Sequence, residues 1–212
     1  MNTLTAVLTV PAALAIGFVA GRTATTESAP VTGAFTVQPV AAFQDDDANS
    51  LTEPGDHHRL LDVMAGTWDA RISSFVPGVD EPIVMEGTLE ASWLFGGRFL
   101  KQSYSVPMPD GNTFEGISFL GYSPVERVYE SFWMDNMTVD MGSASGFVSP
   151  DGMNFTMLTS EVDPETMSMF EVEERIAIQD RDTMTYERYR LTDAGEVLQM
   201  SITHTRRAAD GN

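Results

Sequence analysis

Few side chains in this sequence are equipped for chemistry, and their positions narrow what they can do. His57, His58 and His204 are its three histidines. His57 and His58 are adjacent at the start of a helical stretch, where neighbouring side chains diverge by about 100° and rarely share one metal. They read as solvated helix-terminus residues, and no metal site is expected. His204 shares the parity of Leu198, Met200 and Ile202 on the last strand-like run, so it points inward. Trp93, Tyr122 and Trp133 are large rings on different strands, and Arg98 follows the Gly96-Gly97 turn. As a set they could line a cavity in which aromatic faces hold an apolar ligand and the guanidinium fixes a carboxylate. They also read as core filling, with Arg98 ion-paired to Asp135. Glu174 sits on the parity of Phe170, Val172, Ile176 and Ile178. Either a bulge turns it outward or it is an inward carboxyl with a raised pKa, and the bulge is the expectation.

Other chemistries are excluded by composition. With no cysteine among 212 residues, disulfides, thiolate metal sites and cysteine nucleophiles are ruled out. No Ser-His-Asp constellation, phosphate-cradling glycine loop or His-Glu-x-x-His run occurs. Carboxylates are too abundant for any one pair to point at glycoside hydrolysis. The chain therefore reads as a binding protein rather than an enzyme, with no cofactor expected from these residues. Thirteen methionines suit an adaptable apolar interior.

The elements that must position these residues are strands. After Gly66, runs of strand length alternate with turn signals, giving strands at 67–75, 83–95, 98–106, 113–122, 127–134, 137–146, 153–162, 167–178, 183–191 and 197–206. Pro77-Gly78, Pro109-Asp110-Gly111, Asp135-Asn136 and Asp193-Ala194-Gly195 are typical of the breaks. Links this short favour antiparallel neighbours, because a parallel crossover needs a dozen or more residues. Met85, Gly87, Leu89, Ala91 and Trp93 alternate with Glu86, Thr88, Glu90 and Ser92, as in a sheet wet on one side. One short amphipathic helix within 53–65, capped by Asp56 and ended by Gly66, precedes the strands. Closure removes two exposed edges, so the expected fold is all-β: a single up-and-down antiparallel barrel of about ten strands with one short N-terminal helix.

Leu4–Ala20 is an uncharged run of 17 residues, shorter than the roughly 20 that span a bilayer comfortably. It reads as an export signal or, since Arg22 follows it, an uncleaved anchor. The expected location is periplasmic, secreted, or tethered to the outer side of the inner membrane. Residues 21–52 show no sustained period and include the Asp45-Asp46-Asp47 run, which reads as a disordered acidic tether. The barrel occupies 53–207, and 208–212 is a tail. The formal charge is −19, of which −14 falls on residues 57–212. Nucleic acid is therefore not an expected partner, and a membrane is one only through the N-terminal segment.

Gly66-Thr67-Trp68, placed where the helix meets the first strand, resembles the signature of lipocalin-like (calycin) barrels. The resemblance implies that Trp68 closes the barrel base and that a basic residue of the last strand, Arg206 by parity, packs over it. The run from His57 to about Arg207 is similar to an uncharacterised, commonly exported bacterial domain of unknown function. The likeness is carried by Gly97-Arg98-Phe99-Leu100, Phe114-Glu115-Gly116, Gly121-Tyr122 and Trp133-Met134-Asp135-Asn136. Ser123 departs from it, standing where the family often carries Asp. The architecture also resembles the ten-stranded nitrobindins, which implies haem with His204 as axial ligand. Three readings follow: a barrel binding a small apolar or amphipathic molecule inside, a haem barrel using His204, or a packed barrel serving as a cell-surface interaction module.

Overall fold

The computed structural model describes residues 51–164 and 166–208. The N-terminal export segment, nearly all of the tether and the end of the tail lie outside them. Ten antiparallel strands close into a barrel in which each strand pairs with its sequence neighbours and β1 pairs with β10. The strands are β1 (Gly66–Ser74), β2 (Ile83–Leu94), β3 (Phe99–Pro107), β4 (Thr113–Ser123), β5 (Val128–Asp135), β6 (Gly142–Val148), β7 (Asn154–Val162), β8 (Met169–Ile178), β9 (Thr183–Thr192) and β10 (Gly195–Arg206). Period-two burial is clearest in β1, where Trp68, Ala70, Ile72 and Ser74 face inward and are buried.

The expected single helix forms in two pieces, α1 (Asp56–Arg59) and a 3-10 turn at Asp62–Met64. Gly55 rather than Asp56 is the N-cap. Its N–H donates to His58 Nδ1 at 3.1 Å, while the Asp56 carboxylate is taken by Arg59. This segment seals one end of the barrel by burying Leu61 and Met64 completely. They pack with Trp68, Leu89, Leu100, Leu120, Tyr129, Phe155 and Met157 in a first apolar cluster. A second cluster, with Ala70, Ile72, Met85, Val106, Phe114, Met200 and Ile202, lies nearer the opposite end, called here the mouth.

Two expectations about register need correction. The sixth strand begins at Gly142, not at 137, because Asp135 Oδ1 accepts the N–H groups of Met137 and Thr138 at 2.9 Å and folds that stretch into a turn. No bulge interrupts β8, whose pairing with β7 and β9 is continuous through Glu174. The bulge falls in β10 instead, between Leu198 and Met200. It pairs Leu198 with Tyr189, on the outer face, and so removes Leu198 from the inward set of Met200, Ile202 and His204.

The wall is least continuous at β6. Its pairing with β7 runs from Ser145–Leu158 to Val148–Phe155, so Gly142, Ser143 and Ala144 pair with β5 alone. The loops bordering this part of the mouth carry exposed Val139, Met141 and Met167.

Candidate functional site

Between the two apolar clusters lies a cavity of about 100 Å³. Apolar side chains dominate its wall: Met64, Ile72, Val106, Phe114, Leu120, Met157, Ile176, Met184, Met200 and Ile202. Trp133, Tyr104 and Tyr186 add aromatic faces, and Gln102, Ser118, Ser131, Ser143, Glu174 and His204 add polar atoms. An engineered cavity of ~150 Å³ takes one benzene, so this smaller space takes a single ring only as its wall adjusts. The four methionines on the wall allow it to adjust.

Trp133 is fixed on three sides. Its indole Nε1–H donates to Asp135 Oδ2 at 2.9 Å, and its ring stacks on Phe114 and tilts against Tyr104. Gly116 makes room for it, because a Cβ there would stand 2.4 Å from the Trp133 ring. The glycine of the Phe-Glu-Gly element on β4 is thus required by an aromatic on the neighbouring strand β5.

The ionisable groups of the cavity wall come from β3, β8, β9 and β10. Tyr104 on β3 and His204 on β10 meet at 3.1 Å through the hydroxyl and Nε2. Burial lowers the His204 pKa to about 4, outweighing the opposing influence of the Met184 backbone, so the imidazole is neutral at neutral pH, and its Nδ1 has no hydrogen-bond partner. Glu174 on β8 faces into the cavity. Burial pushes its carboxyl above the ordinary carboxylate range, against the pull of Arg188 and the Tyr186 hydrogen bond. Burial also raises Tyr104 and Tyr186, with Glu174 adding to both. Both phenols therefore stay protonated.

Arg188 is 7 % exposed and Glu161 3 %. The guanidinium donates through its two terminal nitrogens to Glu161 and to Gln199, the residue at the β10 bulge. Burial opposes its charge, yet Glu161, with Tyr186 and Glu174, holds its pKa above the usual value. Among the described residues no ion pair reaches Glu174. Sequence reasoning missed Tyr104, Glu161, Tyr186 and Arg188. Parity along β9, where Met184, Tyr186 and Arg188 alternate, is the signal that marks two of them as inward.

The structure divides the anticipated site. Trp133 and His204 line the cavity; Trp93, Arg98 and Tyr122 do not, because they lie at the helix end. Trp93 Nε1 donates to Asp62 Oδ1 at 2.9 Å, and Tyr122 stacks on His57 with ring centroids 4.1 Å apart. Arg98 donates to the carbonyls of Thr52 and Phe95 and pairs with Glu53. It is therefore a clasp for the segment entering α1. Arg98 and Asp135 sit at opposite ends of the barrel, so the anticipated ion pair does not form. The two helix histidines are also engaged rather than solvated: the ring of His57 by Tyr122, and Nδ1 of His58 by Gly55.

The base contains the other anticipated group. Trp68 is fully buried and donates Nε1–H to the Met64 carbonyl at 3.0 Å. The Arg206 guanidinium lies 3.9 Å from its ring centroid and donates to the carbonyls of Ala65 and Val63. It satisfies carbonyls left open where the helical segment ends. Gly66 permits this contact, since it has φ +128° and a Cβ there would lie 2.5 Å from the guanidinium.

Haem ligation needs an imidazole nitrogen facing a slot wide enough for a porphyrin. His204 is 2 % exposed, its Nε2 is engaged by Tyr104, and the cavity holds about one ring. These residues do not fit a haem. Among the described residues, no cluster of three His, Asp or Glu could hold a metal ion.

A closed ten-stranded up-and-down barrel, sealed at one end by a helical segment and hollow inside, defines the class: a small calycin-like β-barrel. The chain belongs to the DUF1579 family, proteins of unknown function, whose model matches residues 53–207. The crystal structure of Rv2717c from M. tuberculosis is similar in fold, with a TM-score of 0.52 and 16 % identity over 74 % of this chain and 100 % of that one. The S-type phycobiliprotein lyase CPES from Guillardia theta has a TM-score of 0.49 and 14 % identity, covering 72 % of this chain and 93 % of that one. The barrel EF1p2_mFAP2b, in its structure bound to DFHBI, has a TM-score of 0.39 and 9 % identity, covering 71 % and 99 %. No curated protein matches.

Proposed function

We propose that this protein binds a small apolar or amphipathic molecule inside the barrel and that it does so outside the cytoplasm. The cavity carries the reading. Its wall is mostly apolar, with a few polar groups set among the apolar ones, which is the arrangement that holds and orients a small ligand. Binding is favoured over catalysis because the ionisable groups of the wall are a neutral imidazole, two protonated phenols and a carboxyl, and among the described residues no base is hydrogen-bonded to one of the lining serines. The uncharged run Leu4–Ala20 supports export.

Trp133 is the reporter, because it lines the cavity and neither Trp68 nor Trp93 does. Bromobenzene titrated into the full chain is expected to quench tryptophan emission saturably, and Trp133→Phe is expected to remove the saturable part. Quenching that rises linearly with concentration and is unchanged in Trp133→Phe would count against an interior site.

A further inference from the structure

Among the described residues Glu161 and Arg188 are the buried charged side chains and Glu174 faces the cavity; the Arg188 Nε has no hydrogen-bond partner, but its terminal nitrogens are committed. Arg188 directs its terminal nitrogens at Glu161 and Gln199. Glu174, its cross-strand neighbour, receives a hydrogen bond from Tyr186 and none from Arg188. Of the residues lining the cavity, Glu174 is the sole acid, and none is Lys or Arg. His204 brings no positive charge, being neutral and bonded to Tyr104. Arg188 attracts the Glu174 carboxylate without forming an ion pair, and a carboxylate inside the barrel that no ion pair reaches is costly, so in the empty barrel the group does best by keeping its proton. A ligand that carries one positive charge would supply the missing partner.

We propose that the cavity selects a monocationic amine with a body of about one ring, its ammonium paired with the Glu174 carboxylate and its ring against Trp133 and Tyr104. This rests on the reading of the cavity as a ligand site and names the class of ligand. The aromatic faces of Trp133 and Tyr104 suit the ligand's ring, which can stack or meet them edge-to-face. A carboxylate ligand is disfavoured for the same reasons. It would find no cation on the cavity wall, because none of the lining residues is Lys or Arg and Arg98, the group expected to fix an acid, lies outside the cavity. The chemistry on the wall is thus opposite in sign to that suggested by Arg98 in the sequence.

Three ligands of nearly one shape test it on the full chain by calorimetric titration at pH 7: benzylamine, benzyl alcohol and benzoate. Benzylamine is expected to bind at least tenfold more tightly than benzyl alcohol, and benzoate not at all. Glu174→Gln is expected to erase the amine's advantage, bringing benzylamine down to the affinity of benzyl alcohol in the same variant. Benzyl alcohol binding as well as benzylamine in the native chain would overturn the amine assignment while leaving the interior site standing. Binding of none of the three would overturn both. The native comparison needs no variant, so the proposal stays exposed even where Glu174→Gln fails to fold.

Discussion

Glu174 and His204 line the same cavity and tie stability to pH in opposite directions. His204 has a folded pKa of about 4 against an ordinary 6.5, so folding favours its neutral form. Stability from this group is intact above pH 6.5 and falls as pH drops from 6.5 toward 4, by about 1.4 kcal/mol per unit and about 3 kcal/mol in all. Glu174 is raised from 4.5, so folding favours its protonated form, and stability falls as pH rises above 4.5 toward the folded value. Glu174→Gln is therefore expected to raise the urea midpoint at pH 8, with the gain shrinking toward pH 4.5; a lower midpoint at pH 8 would contradict this. The inward parity of Glu174 was legible in β8, and the preference for a bulge was the error. What makes an inward carboxyl tolerable is Tyr186 and Arg188 on the next strand, and the alternation within one strand carries no information about its neighbour. Trp93, Arg98 and Tyr122 show the complementary limit. Parity says which face a residue takes but not its height along the barrel, and these three lie level with the helix rather than the cavity.

At the scale of elements, β6 is the strand that sets access. Its pairing with β7 starts at Ser145, leaving Gly142–Ala144 bonded on one side near the mouth, and all three line the cavity. Backbone groups without a ladder partner on one side open more readily than those held on both. Amide hydrogen exchange should therefore be fastest, among strand residues, over Gly142–Ala144, and slow across Trp68–Ile72, which pairs with both β2 and β10. Equal protection in the two segments would show that the wall does not open there. The turn chemistry at Asp135-Asn136 was readable, but its extent was not. Asp135 folds residues out to Thr138 by accepting their N–H groups, and the alternating Met137, Val139 and Met141 looked like strand because exposed apolar loop residues have the same period.

For the molecule as a whole, closure into ten strands and the helical plug follow from turn spacing and alternation, which are local signals, while the Trp68–Arg206 stack was implied by the resemblance of Gly66-Thr67-Trp68 to the calycin signature. Whether the barrel is hollow is not local. It depends on how the volumes of side chains from ten strands add up, and small residues such as Ser118, Ser131, Gly142 and Ala144 on adjacent β4, β5 and β6 leave the space. One comparison separates a ligand-binding interior from a packed core. In Ala144→Leu the added atoms should fill the cavity, so calorimetric titration with benzyl alcohol, saturable and one-to-one in the native chain, is expected to lose at least tenfold in affinity while the melting temperature holds or rises. No saturable binding in the native chain, together with a loss of about 1–3 kcal/mol in Ala144→Leu as in an overpacked core, would contradict an interior site.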